Sequence, residues 1–146
     1  MHLDQYFDKL SNAIMQFQYL EVTLKFYIRD CDRLIQKSVK DVFHYSVREK
    51  EIEKMPLGRL IDEFSRRSNR KDIVQVLRKL NKLRNEIAHS AYILTIEEQK
   101  DKEKLQHYSD KLKNIVEAVK ACMKQLAREN ARITNQPVPE ELLEQL

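Results

Sequence analysis

Arg84, Asn85 and His89 are the residues of this sequence whose types and spacing bear most directly on chemistry. The His89 imidazole titrates near neutrality and can take or give a proton under physiological conditions. Arg84 carries a permanent charge on a planar fork of donors that suits oxyanions. Its place is unusual. At about 100° per residue around a helix, Ile73, Leu77, Leu80, Ile87 and Ala91 form one apolar stripe, with Val76, Leu83 and Ala88 at its edges. Arg84 falls close to the centre of that stripe, where burial of an unpaired guanidinium would cost several kcal/mol. It must therefore meet a carboxylate, a second chain or a bound anion.

The carboxylate candidate is Glu21. A first helix is expected from about Asp4 to Ser38, with Phe7, Leu10, Ile14, Phe17, Leu24, Ile28, Cys31 and Ile35 on one face, and Glu21 interrupts that face as Arg84 interrupts its own. The two are expected to pair across the helix packing. Geometry adds a constraint on the chemical pair itself. Five residues turn a helix by about 500°, so Arg84 and His89 on a continuous helix point about 140° apart. Either the helix deforms near Ala88 or a second copy supplies the missing group across a two-fold axis.

The elements that must position these residues are all helical. One Gly and three Pro among 146 residues is little punctuation, and 34% charged with 42% hydrophobic residues reads as long amphipathic helices. The expected architecture is all-α, an up-and-down bundle of four to five helices over residues 1–132, followed by a tail, 133–146, with room for a short helix. Val39 to Met55 has poor periodicity and reads as a loop or a frayed turn, with His44 a packed surface residue among Phe43 and Tyr45. Pro56 opens a short helix with Leu57, Leu60, Ile61 and Phe64 on its apolar face. Gly58 inside it points to a close backbone approach. The third helix begins near Asp72. Thr95 with Glu98 forms a capping box ahead of a fourth helix that runs to about Ala131 through Leu105, Tyr108, Leu112, Ile115, Val119, Cys122, Met123 and Leu126.

Composition narrows the function classes. The net charge of +4 and pI near 9.0 are compatible with a polyanionic partner, but lack the charge density of a dedicated nucleic-acid-binding arm. Arg66, Arg67, Arg70 and Lys71 form the densest basic run, read either as a solvated turn or as a salt-sensitive contact to a phosphate backbone. No apolar run approaches the roughly 20 residues of a membrane span, and no leader is evident, so a cytoplasmic protein without a membrane partner is expected. Cys31 and Cys122 read as reduced thiols, and no Cys/His cluster has zinc-ligand spacing. No metal, nucleotide, flavin or other cofactor is signalled.

The string Leu83-Arg84-Asn85-Glu86-Ile87-Ala88-His89, on the third helix of a four-helix pattern, resembles the signature of the HEPN superfamily: Arg, a polar residue, a short spacer and His. The segment Leu57-Gly58-Arg59-Leu60-Ile61-Asp62-Glu63-Phe64 is also similar to what such proteins carry. The resemblance implies metal-independent RNA cleavage by a homodimer, by a toxin of a toxin–antitoxin pair or a phage-defence effector, with an antitoxin protein as a possible partner. It implies that Arg84 stabilises the phosphoryl oxygens, that His89 does acid/base work towards a 2′,3′-cyclic phosphate, and that Asn85 orients one of them. Glu21 would hold Arg84, and Tyr92 would stack a base or bond a phosphate. In one branch of the superfamily a Tyr two residues after the His receives AMP. Here Tyr92 lies three residues after His89, a departure from that branch. The alternative is a non-catalytic HEPN module that binds RNA or a partner protein.

Overall fold

The structure, a computed structural model, describes residues 2–89, 92, 94–138 and 140. Among these residues all regular structure is helical: α1 (Leu3–Val39), α2 (Glu49–Lys54), α3 (Leu57–Arg67), α4 (Lys71–Ala88), α5 (Ile96–Gln99) and α6 (Lys102–Thr134). The start and stop signals act where their chemistry predicts. Pro56 precedes the first residue of α3, and the Thr95 hydroxyl accepts from the Glu98 N–H in a complete capping box. That box starts only the single turn α5. Asp101 then caps a fresh helix by accepting from the N–H groups of Glu103 and Lys104, and α6 continues past Ala131 to Thr134. Asn135 ends it in the left-handed conformation at φ 54°. The run read as a loop or a frayed helical turn contains the short helix α2. The tail helix suggested for residues 140–146 lies outside the described residues except for Glu140.

The core lies between α1 and α6, with α3 and α4 closing its other sides. Leu20, Leu24 and Ile28 of α1, Leu60, Ile61 and Phe64 of α3, Ile73 and Leu77 of α4, and Leu112, Val119 and Leu126 of α6 are fully enclosed. The buried face of α1 is only partly the one periodicity selects: Phe17, Leu24 and Ile28 are buried and Leu10 and Cys31 pack against the core, but the face is rotated. Phe7, Ile14 and Ile35 are 45, 45 and 39% exposed, while Tyr6, Ala13, Leu20 and Tyr27 are buried in their place. The physical reason is that α1 carries apolar residues around most of its circumference, so a helical repeat fits more than one stripe. Only the packing partners choose between them. Gly58 needs no special backbone approach: a Cβ there would meet the Asn81 Nδ2 at an ordinary 3.5 Å. Both thiols are free, and burial pushes Cys122 up to about 12.

Two ionic clusters tie the helices together. The Arg67 Nε donates to Asp32 Oδ1 at 2.9 Å and its Nη2 to Oδ2 at 3.3 Å, while Nη1 donates to Glu63 Oε2 at 2.7 Å and to the Glu63 carbonyl at 2.9 Å. Both carboxylates are buried, at 4 and 8% exposure. On the other side of the bundle Glu129, 3% exposed, accepts from Arg132 and, at 3.5 Å, from Arg70. The hydrogen bond from Arg67 holds Glu63 below the usual carboxylate range, and that from Arg132 does the same for Glu129.

Removing one member of such a buried cluster leaves charge without compensation, at a cost of about 3–5 kcal/mol. Arg67→Met is therefore expected to lower the melting temperature far more than Arg66→Met, whose guanidinium is exposed. The pH dependence has a definite sign. Because Glu63 and Glu129 are depressed in the folded state, their stabilisation is complete above the unfolded value of about 4.3 and is lost as pH falls through the folded values. Denaturant titrations should show stability dropping below about pH 4, with a shallower drop in a Glu63→Gln, Glu129→Gln double variant.

Candidate phosphate-binding site at the end of α4

α4 presents Ile73, Leu77, Leu80 and Ile87 to the core, and Arg84 sits on the same side, half-buried. Its guanidinium reaches the Asn85 Oδ1 at 3.5 Å, a marginal hydrogen bond. Among the described residues no carboxylate pairs with it, in contrast to Arg67 and Arg70. The expected partner is not there. Glu21 is half-buried on α1 and forms no ion pair with Arg84 or with any other described residue. The buried face of α1 turns towards α6 and α3, which puts Glu21 at its edge rather than its centre. Among the described residues, Arg84 thus keeps an uncompensated charge on the apolar side of its helix.

His89 caps α4 and is exposed. Its backbone N–H donates to the Asn85 carbonyl at 2.9 Å, so helical hydrogen bonding persists up to His89 and the chain departs from it only there, at φ −97° and ψ 33°. No deformation near Ala88 brings the pair together. On that continuous helix the Cα–Cβ directions of Arg84 and His89 diverge by about 140°, with Arg84 half-buried and His89 exposed. Asn85 is exposed between them. The stripe residue Ala91 lies outside the described residues.

Tyr92 has a different role from the one expected. It is 6% exposed, its ring packs edge-on to Tyr108 at 5.8 Å, and its carbonyl accepts the Tyr6 hydroxyl at 2.6 Å. A ring enclosed in this way has no face to offer a base. Burial, followed by the Glu86 carboxylate, raises the pKa of its hydroxyl. The Tyr6–Tyr92 bond instead pins the segment after α4 to the start of α1.

The basic run is also mostly committed. Arg67 is held by Asp32 and Glu63, Arg70 by Asp72 at 2.8 and 2.9 Å and by Glu129, and Arg66 by Glu63 at 2.9 Å. Arg66 nevertheless keeps 70% of its side chain exposed, and Lys71 is exposed without an ion pair among the described residues. Besides Asp72, the carboxylates that neutralise the run are Asp32, Glu63 and Glu129, which the reading of the sequence passes over. Their signal was present, since Asp32 follows Leu24 and Ile28 at four-residue steps and Glu129 follows Leu126 by three. His44 bonds Ser46 at 2.8 Å, both exposed, and among the described residues no carboxylate bonds its imidazole; Asp32 in the same groove is engaged by Arg67.

No described group of His, Cys, Asp and Glu has the arrangement of a metal site, and no described helix is long and apolar enough to cross a membrane. Comparison of the chain with protein-family models, with curated proteins and with solved structures returns no match.

An Arg that serves the fold should be costly to remove, whereas one kept for a ligand should not. Arg84→Met, which keeps the aliphatic stem and removes the charge, is expected to leave the melting temperature unchanged or raise it by the equivalent of up to about 1 kcal/mol. Glu21→Gln should fall within about 0.5 kcal/mol of wild type. A large loss in either thermal melt would show a partner that the arrangement above lacks.

Proposed function

We propose that the chain is a metal-independent endoribonuclease of HEPN type, acting as a toxin or phage-defence effector. The observation that carries this reading is the half-buried, unneutralised guanidinium of Arg84, one turn from an exposed imidazole at the helix end. A charge in that setting gains from any oxyanion that reaches it, because partial desolvation strengthens the contact.

In the proposed reaction, His89 takes the proton of a ribose 2′-hydroxyl as its oxygen attacks the adjacent phosphorus. Arg84 donates to the phosphoryl oxygens as charge builds on them, and Asn85 orients the guanidinium through its side-chain carbonyl. The P–O5′ bond breaks as the leaving oxygen takes a proton from water, leaving a 2′,3′-cyclic phosphate on one fragment and a 5′-hydroxyl on the other, and His89 returns the 2′ proton to solvent. Because the two side chains diverge by about 140°, the reading takes Arg84 from one protomer and His89 from its partner. Arg66 and Lys71 add sequence-independent phosphate contacts that weaken with salt. The same divergence favours a second reading, a non-catalytic HEPN module that binds RNA or a partner protein such as an antitoxin through Arg84 alone.

Cleavage of a labelled mixed-sequence RNA in excess EDTA separates the two. The wild type is expected to yield cyclic phosphate ends, and Arg84→Ala and His89→Ala each to slow cutting by about 10²–10³-fold while remaining folded. Failure of the wild type to cut mixed RNA or tRNA, with binding retained and lost on Arg84→Ala, would establish the binding module instead.

A further inference from the structure

α1 buries one side and carries a second apolar row on the other. Met15, Tyr19, Val22 and Phe26 are 41, 51, 47 and 56% exposed. Their row lies about 140° around the helix from the buried row of Ala13, Leu20, Leu24 and Tyr27. Steps of four, three and four residues are the spacing of a coiled-coil seam, and four large side chains at that spacing have no counterpart in a helix that simply faces water. Tyr19, Val22 and Phe26 also form one wall of a groove of about 930 Å³ whose opposite wall is Leu126, Ala127 and Asn130 of α6.

The charges beyond the two ends of the row decide what it fits. Asp4 and Asp8 lie on the same side of α1 before the row, and Arg33 and Lys37 lie on that side after it, all exposed. The pattern is symmetric in position and opposite in sign about the point between Leu20 and Glu21. Met15 and Phe26 are equidistant from that point, as are Tyr19 and Val22, Asp8 and Arg33, and Asp4 and Lys37. A parallel copy would set Asp opposite Asp, whereas an antiparallel copy sets each acid opposite a base. Asp4, Asp8 and Lys37 have no ion pair among the described residues. Arg33 already donates to Glu49 at 2.6 Å and lies 3.8 Å from the Asp30 Oδ1, but its side chain is 56% exposed and its five donors accommodate a further carboxylate.

We propose that this outer face of α1 binds a second copy of the chain, antiparallel about a two-fold axis at Leu20 and Glu21. The size is adequate. From Asp4 to Lys37 the strip is about 50 Å long and one helix diameter of 10–12 Å wide, and with the α6 wall of the groove it approaches the roughly 800 Å² per partner of a stable interface. The seam contains none of Arg84, Asn85 and His89, so the pairing stands apart from the ribonuclease reading. If both hold, the two interfaces join four chains.

Sedimentation equilibrium of the full chain tests it, with helical content and melting checked for each variant. The wild type is expected to self-associate, Val22→Asp to weaken that association by at least about tenfold, and Asp8→Arg to weaken it less. Combining Asp8→Arg with Arg33→Asp should restore it, which a merely structural role of either residue would not do. RNA cleavage per chain should survive Val22→Asp, so loss of association with retained cutting separates this face from the Arg84 site. A monomeric wild type at about 100 µM, an unchanged mass for Val22→Asp, or a charge swap that fails to restore would overturn the proposal. So would a monomeric wild type that dimerises once Leu142, Leu143 and Leu146 are changed to Asp, since the face would then belong to the chain's own C-terminal residues.

Discussion

The rest of the structure depends on one half-buried guanidinium. Arg67, near the end of α3, satisfies two carboxylates that would otherwise be isolated inside the bundle, Asp32 of α1 and Glu63 of its own helix. Burial by itself would lower the pKa of this guanidinium, but the hydrogen bonds to Asp32 and Glu63 outweigh it and hold the charge in place. The pairing is bidentate towards Asp32, which sets the rotation of α1 against α3 as well as their separation. Beside it, the Tyr27 ring meets Phe64 at 4.9 Å, so the same contact aligns an aromatic layer of the core. Glu129 does a related service on α6 by drawing in Arg70 just before α4 begins.

Set against Arg67, Arg84 is the exception that gives the molecule its chemical interest. Both are arginines on the inner side of a helix, yet one is surrounded by carboxylates and the other has a single amide oxygen at the limit of bonding distance. A fold that neutralises Arg67 and Arg70 with acids leaves Arg84 partly desolvated and uncompensated, which is the condition under which an anion binds well. The rigidity needed to present it comes from α4, continuous from Lys71 to Ala88, and from the Tyr6–Tyr92 bond that anchors the chain just beyond. His89 lies where the helix gives way, on the opposite side, and that divergence makes any joint action of the two a question of assembly.

α1 shows how one helix can carry two separate instructions. Its inner row builds the core with α6, and its outer row, Met15 to Phe26, has the spacing of a seam without a partner among the described residues. The two rows share one sequence and overlap in period, which is why Phe7 and Ile14 read as core and are half exposed.

What the sequence by itself determined was local. The all-helical class followed from sparse Gly and Pro with amphipathic repeats. The boundaries at Pro56 and Thr95 followed from capping chemistry, and the place of Arg84 on the inner stripe of α4 followed from a clear repeat around it. Each depends on residues within a few turns of one another. The tertiary structure alone decided which stripe of α1 is buried, that Glu21 does not meet Arg84, that Tyr92 turns inward, and that Arg66, Arg67 and Arg70 are neutralised by Asp32, Glu63, Asp72 and Glu129. Helical periodicity is a property of the backbone and repeats wherever the chain goes. The partner of a charge or the face of a doubly apolar helix depends on which elements arrive beside it, and that information lies in the packing of residues up to about a hundred positions apart, as Asn130 on Asp30 illustrates.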